Sequence, residues 1–63
     1  MTINKSTLIK LRKDKKLSRW EMSLEINISQ ATITALESGV RDCSLYTAKK
    51  LADFFGVKID DLL

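Results

Sequence analysis

The stretch "LSRWEMSLEINISQATITALESG", residues 17–39, leaves room for two short helices with almost nothing between them. Ser18 has the chemistry of a helix N-cap, and Glu21 three residues later completes a capping box. Leu17 stands where it can staple against Met22. The spacing predicts a helix over Arg19–Ile26. Asn27 stops it, because asparagine tolerates the left-handed conformation better than most residues. Ser29 then caps a second helix, Gln30–Ser38, which Gly39 closes with another left-handed turn. The result is a helix, a tight turn and a helix.

The rest of the chain is punctuated in the same way. A first helix spans about Ser6–Lys15, with Leu8, Leu11 and the stem of Lys15 on its apolar stripe. Ser44 caps a fourth helix, Leu45–Phe55, whose stripe is Leu45, Ala48, Leu51, Ala52 and Phe55, and Gly56 closes it. A last helix, Ile59–Leu63, brings Ile59, Leu62 and Leu63, with Asp60 and Asp61 favouring its N-terminal dipole. Proline is absent and glycine occurs twice, so the expected class is all-α, five helices in one domain over residues 1–63. Such a chain buries only about 60% of its unfolded surface and gains from a partner. One cysteine excludes an internal disulfide, and the lack of histidine excludes a Cys/His zinc site, so no metal is expected. A reducing, intracellular setting fits this usage. No stretch approaches the roughly 18 apolar residues of a membrane span.

The third helix has two unlike sides. At steps of about 100° per residue, Ile33, Leu36, Glu37 and Val40 gather on one side. Ala31, Thr34, Ala35 and Ser38 lie opposite, with Gln30 and Thr32 on the flanks. A solvated helix face ordinarily carries lysine and glutamate; this one carries neither. Small side chains let a backbone approach a surface closely, and glutamine can bond bidentately to adenine N7 and N6. The face therefore suits the floor of a DNA major groove. Packing against another protein, or plain low-charge surface, accounts for it equally well from this segment alone.

Charge and topology bear on that choice. Residues 1–20 hold seven bases against Asp14, a net +6, while residues 21–63 hold four bases against seven acids, a net −3. A basic end attracts polyanions, although a solvated lysine surface has the same composition. In a helix-turn-helix the second helix enters the groove and the N-terminus of the first faces the backbone. Free amides and the positive dipole end there attract phosphate, and Arg19 stands in that turn.

The 17–39 stretch resembles the central segment of the phage repressor and Cro-type, or XRE-like, helix-turn-helix family. Members typically show Leu-Ser-Gln-Glu-Glu-Leu-Ala, then Gly-Val-Ser, then Ile-Ser and a Glu-x-Gly ending. "LYTAKKLADFFGVKIDDLL" is similar to the family's fourth and fifth helices, so the likeness runs from Leu8 to Leu63. The resemblance implies a compact lambda-repressor-like domain with a helix-turn-helix in helices 2 and 3. It implies a dimeric, sequence-specific regulator of transcription on double-stranded DNA, cytoplasmic and bacterial or phage-encoded. In its simplest form it is a repressor that occludes a promoter. Lys16 and Asn27 stand where the family usually has glycine; Lys16 costs up to about 1 kcal/mol there. Ser23 replaces the usual small alanine between the two helices. Cys43 replaces a common proline, which predicts a looser loop. Ala31 and Ala35 are poor in hydrogen-bonding groups, which leaves target specificity open.

On this reading the base-edge residues are Gln30, Ala31, Thr34 and Ala35. Phosphate contacts fall to Ser18, Arg19, Ser29, Thr32, Ser38 and Arg41, with Lys10 and Lys13 as weaker helpers and Lys49 and Lys50 solvated. Arg12 and Glu37 lie on two core-facing stripes and invite a buried pair, since an unpartnered buried carboxylate is expensive. The family has a comparable Arg–Glu pair. The edge of Arg12 could also approach phosphate. Trp20 and Leu24 point away from the core side of their helix; they are a partner patch, two apolar residues with ordinary partial exposure or, in the favoured reading, a seat for Met1 and Ile3. Cys43 is read as an inert thiol rather than a redox sensor beside Arg41. Val57, Leu62 and Leu63, with the loop before the fourth helix, are the dimer candidates; the alternative is a monomer that keeps these leucines inside. A second class of function is a protein-interaction module, an antitoxin or anti-repressor on the same fold. Enzymatic activity, a cofactor and a small-molecule ligand are not expected.

Overall fold

Every helix starts beside a short-range polar bond that satisfies a backbone amide the helix itself cannot. In the computed structural model, which describes Met1–Leu63, the helices are α1 (Lys5–Asp14), α2 (Arg19–Ile26), α3 (Gln30–Ser38), α4 (Leu45–Phe55) and α5 (Ile59–Leu62). Ser18, Ser29 and Ser44 accept from the amides of Glu21, Thr32 and Thr47 at 3.0–3.2 Å. At Ser18 the box is reciprocal: its own amide donates to Glu21 Oε1 at 2.9 Å. α1 begins a residue earlier than the periodicity implies, because Asn4 Oδ1 caps it by accepting from the Thr7 amide at 3.1 Å. The Lys58 amide donates to Asp61 Oδ2 at 3.1 Å and fixes the start of α5.

The ends are left-handed. Asn27 (φ 60°), Gly39 (φ 79°) and Gly56 (φ 67°) cap α2, α3 and α4. Lys16 (φ 58°) turns the chain between α1 and α2, and with Asn27 it is one of two non-glycine residues at positive φ. Both are the positions where the family resemblance puts glycine.

Each helix contributes to one core, with Leu8, Met22, Ile33, Leu36, Leu51 and Leu62 fully buried. Ser23 is buried on α2, and its hydroxyl donates to Trp20 O at 2.6 Å, so it is not orphaned.

The N-terminal segment lies elsewhere than the sequence implies. Trp20 and Leu24 are 57% and 64% exposed, not covered by Met1 and Ile3. Instead Ile3 enters the core, Met1 and Cys43 exchange backbone bonds of 3.0 and 2.8 Å, and the Asn4 amide donates to Leu62 O at 2.7 Å. The segment goes where unpaired backbone groups of the α3–α4 loop and the end of α5 can receive it. The loop is therefore pinned rather than loosened by Cys43, with Thr2 Oγ1 adding a bond to Asp42 at 3.0 Å.

Three apolar residues lie elsewhere than the sequence pattern implies. Val40 is 79% exposed, because Gly39 ends α3 and the Val40 amide turns back to Ala35 O. Leu45, first residue of α4, is exposed ahead of the point where the helix meets the core. Leu62 is wholly internal and cannot form a dimer contact; Val57 packs partly on the core, and Leu63 alone of the three is exposed. No helix is long and apolar enough to cross a membrane.

Candidate nucleic-acid interface

The Asn27-Ile28-Ser29 turn sets the angle between α2 and α3. The left-handed Asn27 lets the chain reverse, Ile28 packs partly on the core, and Ser29 restarts the helix. Lys50 Nζ donates to Asn27 O at 3.1 Å, tying the turn to α4. Lys50 is thus a structural contact, not the solvated lysine its composition implies.

With Ile33, Leu36 and Glu37 inward, α3 exposes Gln30, Ala31, Thr34 and Ser38. Ala35 and Thr32 are partly covered. The Gln30 amide makes no hydrogen bond within the chain, so all its groups are available to a partner. The hydroxyls are more committed. Ser29 Oγ accepts the Thr32 amide and lies 2.8 Å from Thr32 Oγ1. Ser38 Oγ donates to Ala35 O at 3.0 Å, and Ser18 Oγ caps α2. Arg41 reaches back along α3 until Nη1 is 3.5 Å from Thr32 Oγ1, leaving an exposed cation beside the start of that helix. Lys10 is paired with Asp14 at 3.2 Å, both exposed, while Lys13 is exposed.

Behind α3 lies a three-residue ionic cluster. Arg12 Nε and Nη2 donate to Glu37 Oε2 and Oε1 at 2.7 and 3.1 Å, a bidentate fork, and Arg12 Nη1 donates to Leu17 O at 2.9 Å. Each nitrogen of that guanidinium donates one bond, and the residue is only 8% exposed, so little of its edge faces solvent. Arg19 Nε also donates to Glu37 Oε1, at 2.9 Å. Sequence reasoning missed this third member by giving Arg19 to phosphate alone. A signal existed: a carboxylate has more acceptor sites than one arginine fills. Burial raises the Glu37 pKa, but the hydrogen bonds and charges of Arg12 and Arg19 outweigh it, and the carboxyl titrates below the ordinary range. The Ser18 backbone and hydroxyl bonds likewise lower Glu21. Burial pushes the Cys43 thiol up, against the smaller opposing pull of the N-terminal amine and Arg41, which favours the protonated form.

No cluster of histidine, cysteine or acidic groups has the geometry to hold a metal. The surface can do two things chemically: offer an uncharged amide and small side chains from α3, and offer cations beside the helix ends.

The model of the helix-turn-helix family matches residues 8–62. An uncharacterized HTH-type transcriptional regulator from Methanocaldococcus jannaschii is 44% identical over 46 residues, which cover 73% of this chain and 70% of that protein. No solved structure gives a significant match. The match runs from Leu8 in α1 to the end of α5 and includes the α2–turn–α3 unit and both partners of the buried Arg12–Glu37 pair: the chain belongs to the XRE-type helix-turn-helix family.

Proposed function

We propose that the chain is a DNA-binding transcription regulator that acts as a dimeric repressor in the cytoplasm, with α3 in the major groove of a double-stranded operator. The observation that carries this reading is the exposed, charge-free face of α3 beside two exposed cations, Arg19 and Arg41. Gln30 reads a base edge, while Ala31, Thr34 and Ala35 allow close approach and give methyl contacts. Arg19 and Arg41 contact phosphates, assisted by the hydroxyls of Ser18, Ser29, Thr32 and Ser38. The dimer surface uses Val40, Leu45 and Tyr46 around the α3–α4 loop, with Leu63. These are large exposed apolar residues, and the N-terminal segment connects the two regions through Cys43 and Leu62. Two copies would set their α3 helices about 34 Å apart, one turn of DNA.

A gel shift on the DNA upstream of the chain's own gene tests this. Sequence-selective binding that weakens steeply with salt supports it. A second reading, an interaction module for another protein, draws on the exposed Trp20 and Leu24 of α2. It gains if no duplex is bound and a Trp20→Ala, Leu24→Ala variant loses a protein partner that the parent chain retains.

A further inference from the structure

Glu37 is the one buried carboxylate of the chain, and it is shared unequally. Arg12 is closed: it is buried, and each of its three guanidinium nitrogens donates a bond to Glu37 or Leu17 O. Arg19 is open. Its Nε is held on Glu37 Oε1 at 2.9 Å, its side chain is 46% exposed, and its two Nη groups make no hydrogen bond within the chain. The cluster holds two guanidinium charges against one carboxylate, so a net positive charge remains, and it sits at the exposed member.

We propose that Glu37 is a positioning residue for DNA binding. By holding Arg19 at Nε, it presents the Nη pair as a ready fork for one backbone phosphate beside the N-terminus of α2. This rests on the DNA reading given above. The physical advantage is order. A free arginine loses rotamer freedom when it grips a phosphate, whereas here that freedom is already lost in folding, through a bond that also satisfies a buried oxygen. Lysine cannot replace it. One ammonium on a flexible stem cannot both hold Glu37 and offer a planar two-donor edge to phosphate.

A thermodynamic cycle tests the assignment. Exchanging Arg12→Met with Glu37→Met replaces the buried pair by apolar groups, a change that folds usually tolerate, and thermal unfolding checks it. Arg19 keeps its charge but loses its anchor. Affinity for a selected duplex should fall about fivefold, with the salt dependence unchanged. The same exchange in an Arg19→Ala background should leave affinity unaltered. Arg19→Lys, a change at a half-exposed side chain whose folding thermal unfolding also checks, should lose nearly as much affinity as Arg19→Ala. The proposal is overturned if the double exchange binds as tightly as the parent or tighter, or if Arg19→Lys matches the parent. If the parent chain shows no salt-dependent duplex binding, or Arg19→Ala loses none, the DNA reading itself fails at this residue.

Discussion

Gln30 and Arg19 carry the two halves of the proposed recognition, base and backbone. Gln30→Ala should relax preference at one base pair by about 1–3 kcal/mol and leave other positions alone. Arg19→Ala should weaken binding on all sequences alike and reduce the salt slope by about one. Competition binding on single-base operator variants separates these, and equal losses on every duplex for both would contradict the assignment. Arg12→Met is a different matter, because it strips the fork from a buried carboxylate. It should destabilise the fold by about 3–5 kcal/mol, measured by urea unfolding. The same cluster sets the acid response. The Glu37 pKa is lower folded than unfolded, so its stabilisation is complete at neutral pH. That stabilisation is lost as pH falls from the ordinary value of about 4.3 through the depressed native one. Urea midpoints should therefore drop on acidification, and by less in the Arg12→Met, Glu37→Met exchange; an equal drop would show that Glu37 contributes nothing. The Arg12–Glu37 partners were legible in the sequence because each sits on an apolar stripe. The bond to Arg19 was not read, since Arg19 lies at an exposed position and only the spare acceptor sites of Glu37 pointed to a second partner.

Helix boundaries were the most readable feature, because a cap is a local event between residues three apart. Ser18, Ser29, Ser44, Asn27, Gly39 and Gly56 all act where their chemistry indicates. The failures lie just beyond such points. A helical wheel carries Val40 on past Gly39 as though the helix continued, and treats Leu45 as inward although a helix's first residue can precede its contact with the core. Lys16 shows what an element tolerates: a lysine at φ 58° where glycine would be unstrained. Lys16→Gly should stabilise the domain by about 1 kcal/mol. Its melting temperature should rise about 4–8 °C per kcal/mol for a domain of this size. An unchanged or lower value would mean that the lysine makes contacts that offset the strain.

At the scale of the molecule, the N-terminal segment was the least legible part. Its place depends on backbone groups of Cys43 and Leu62, and side-chain pattern says nothing about where those groups are left unpaired. Its seating leaves Trp20 and Leu24 of α2 outside, while Val40, Leu45, Tyr46 and Leu63 form the exposed apolar surface proposed for the dimer. Sedimentation should show a dimer for the parent chain and a monomer for Leu45→Glu with Tyr46→Glu, whose melting temperature should no longer rise with protein concentration. A variant that remains dimeric would move the interface away from the α3–α4 loop.

The central claim is that α3 reads DNA through an uncharged face. Selection of bound duplexes from a random pool, run in parallel with the parent chain and Gln30→Ala, tests it most directly. The account predicts paired half-sites about one helical turn apart for the parent, and the loss of one preferred base in each half-site for the variant. A pool that stays random, or an identical site for both proteins, would contradict it.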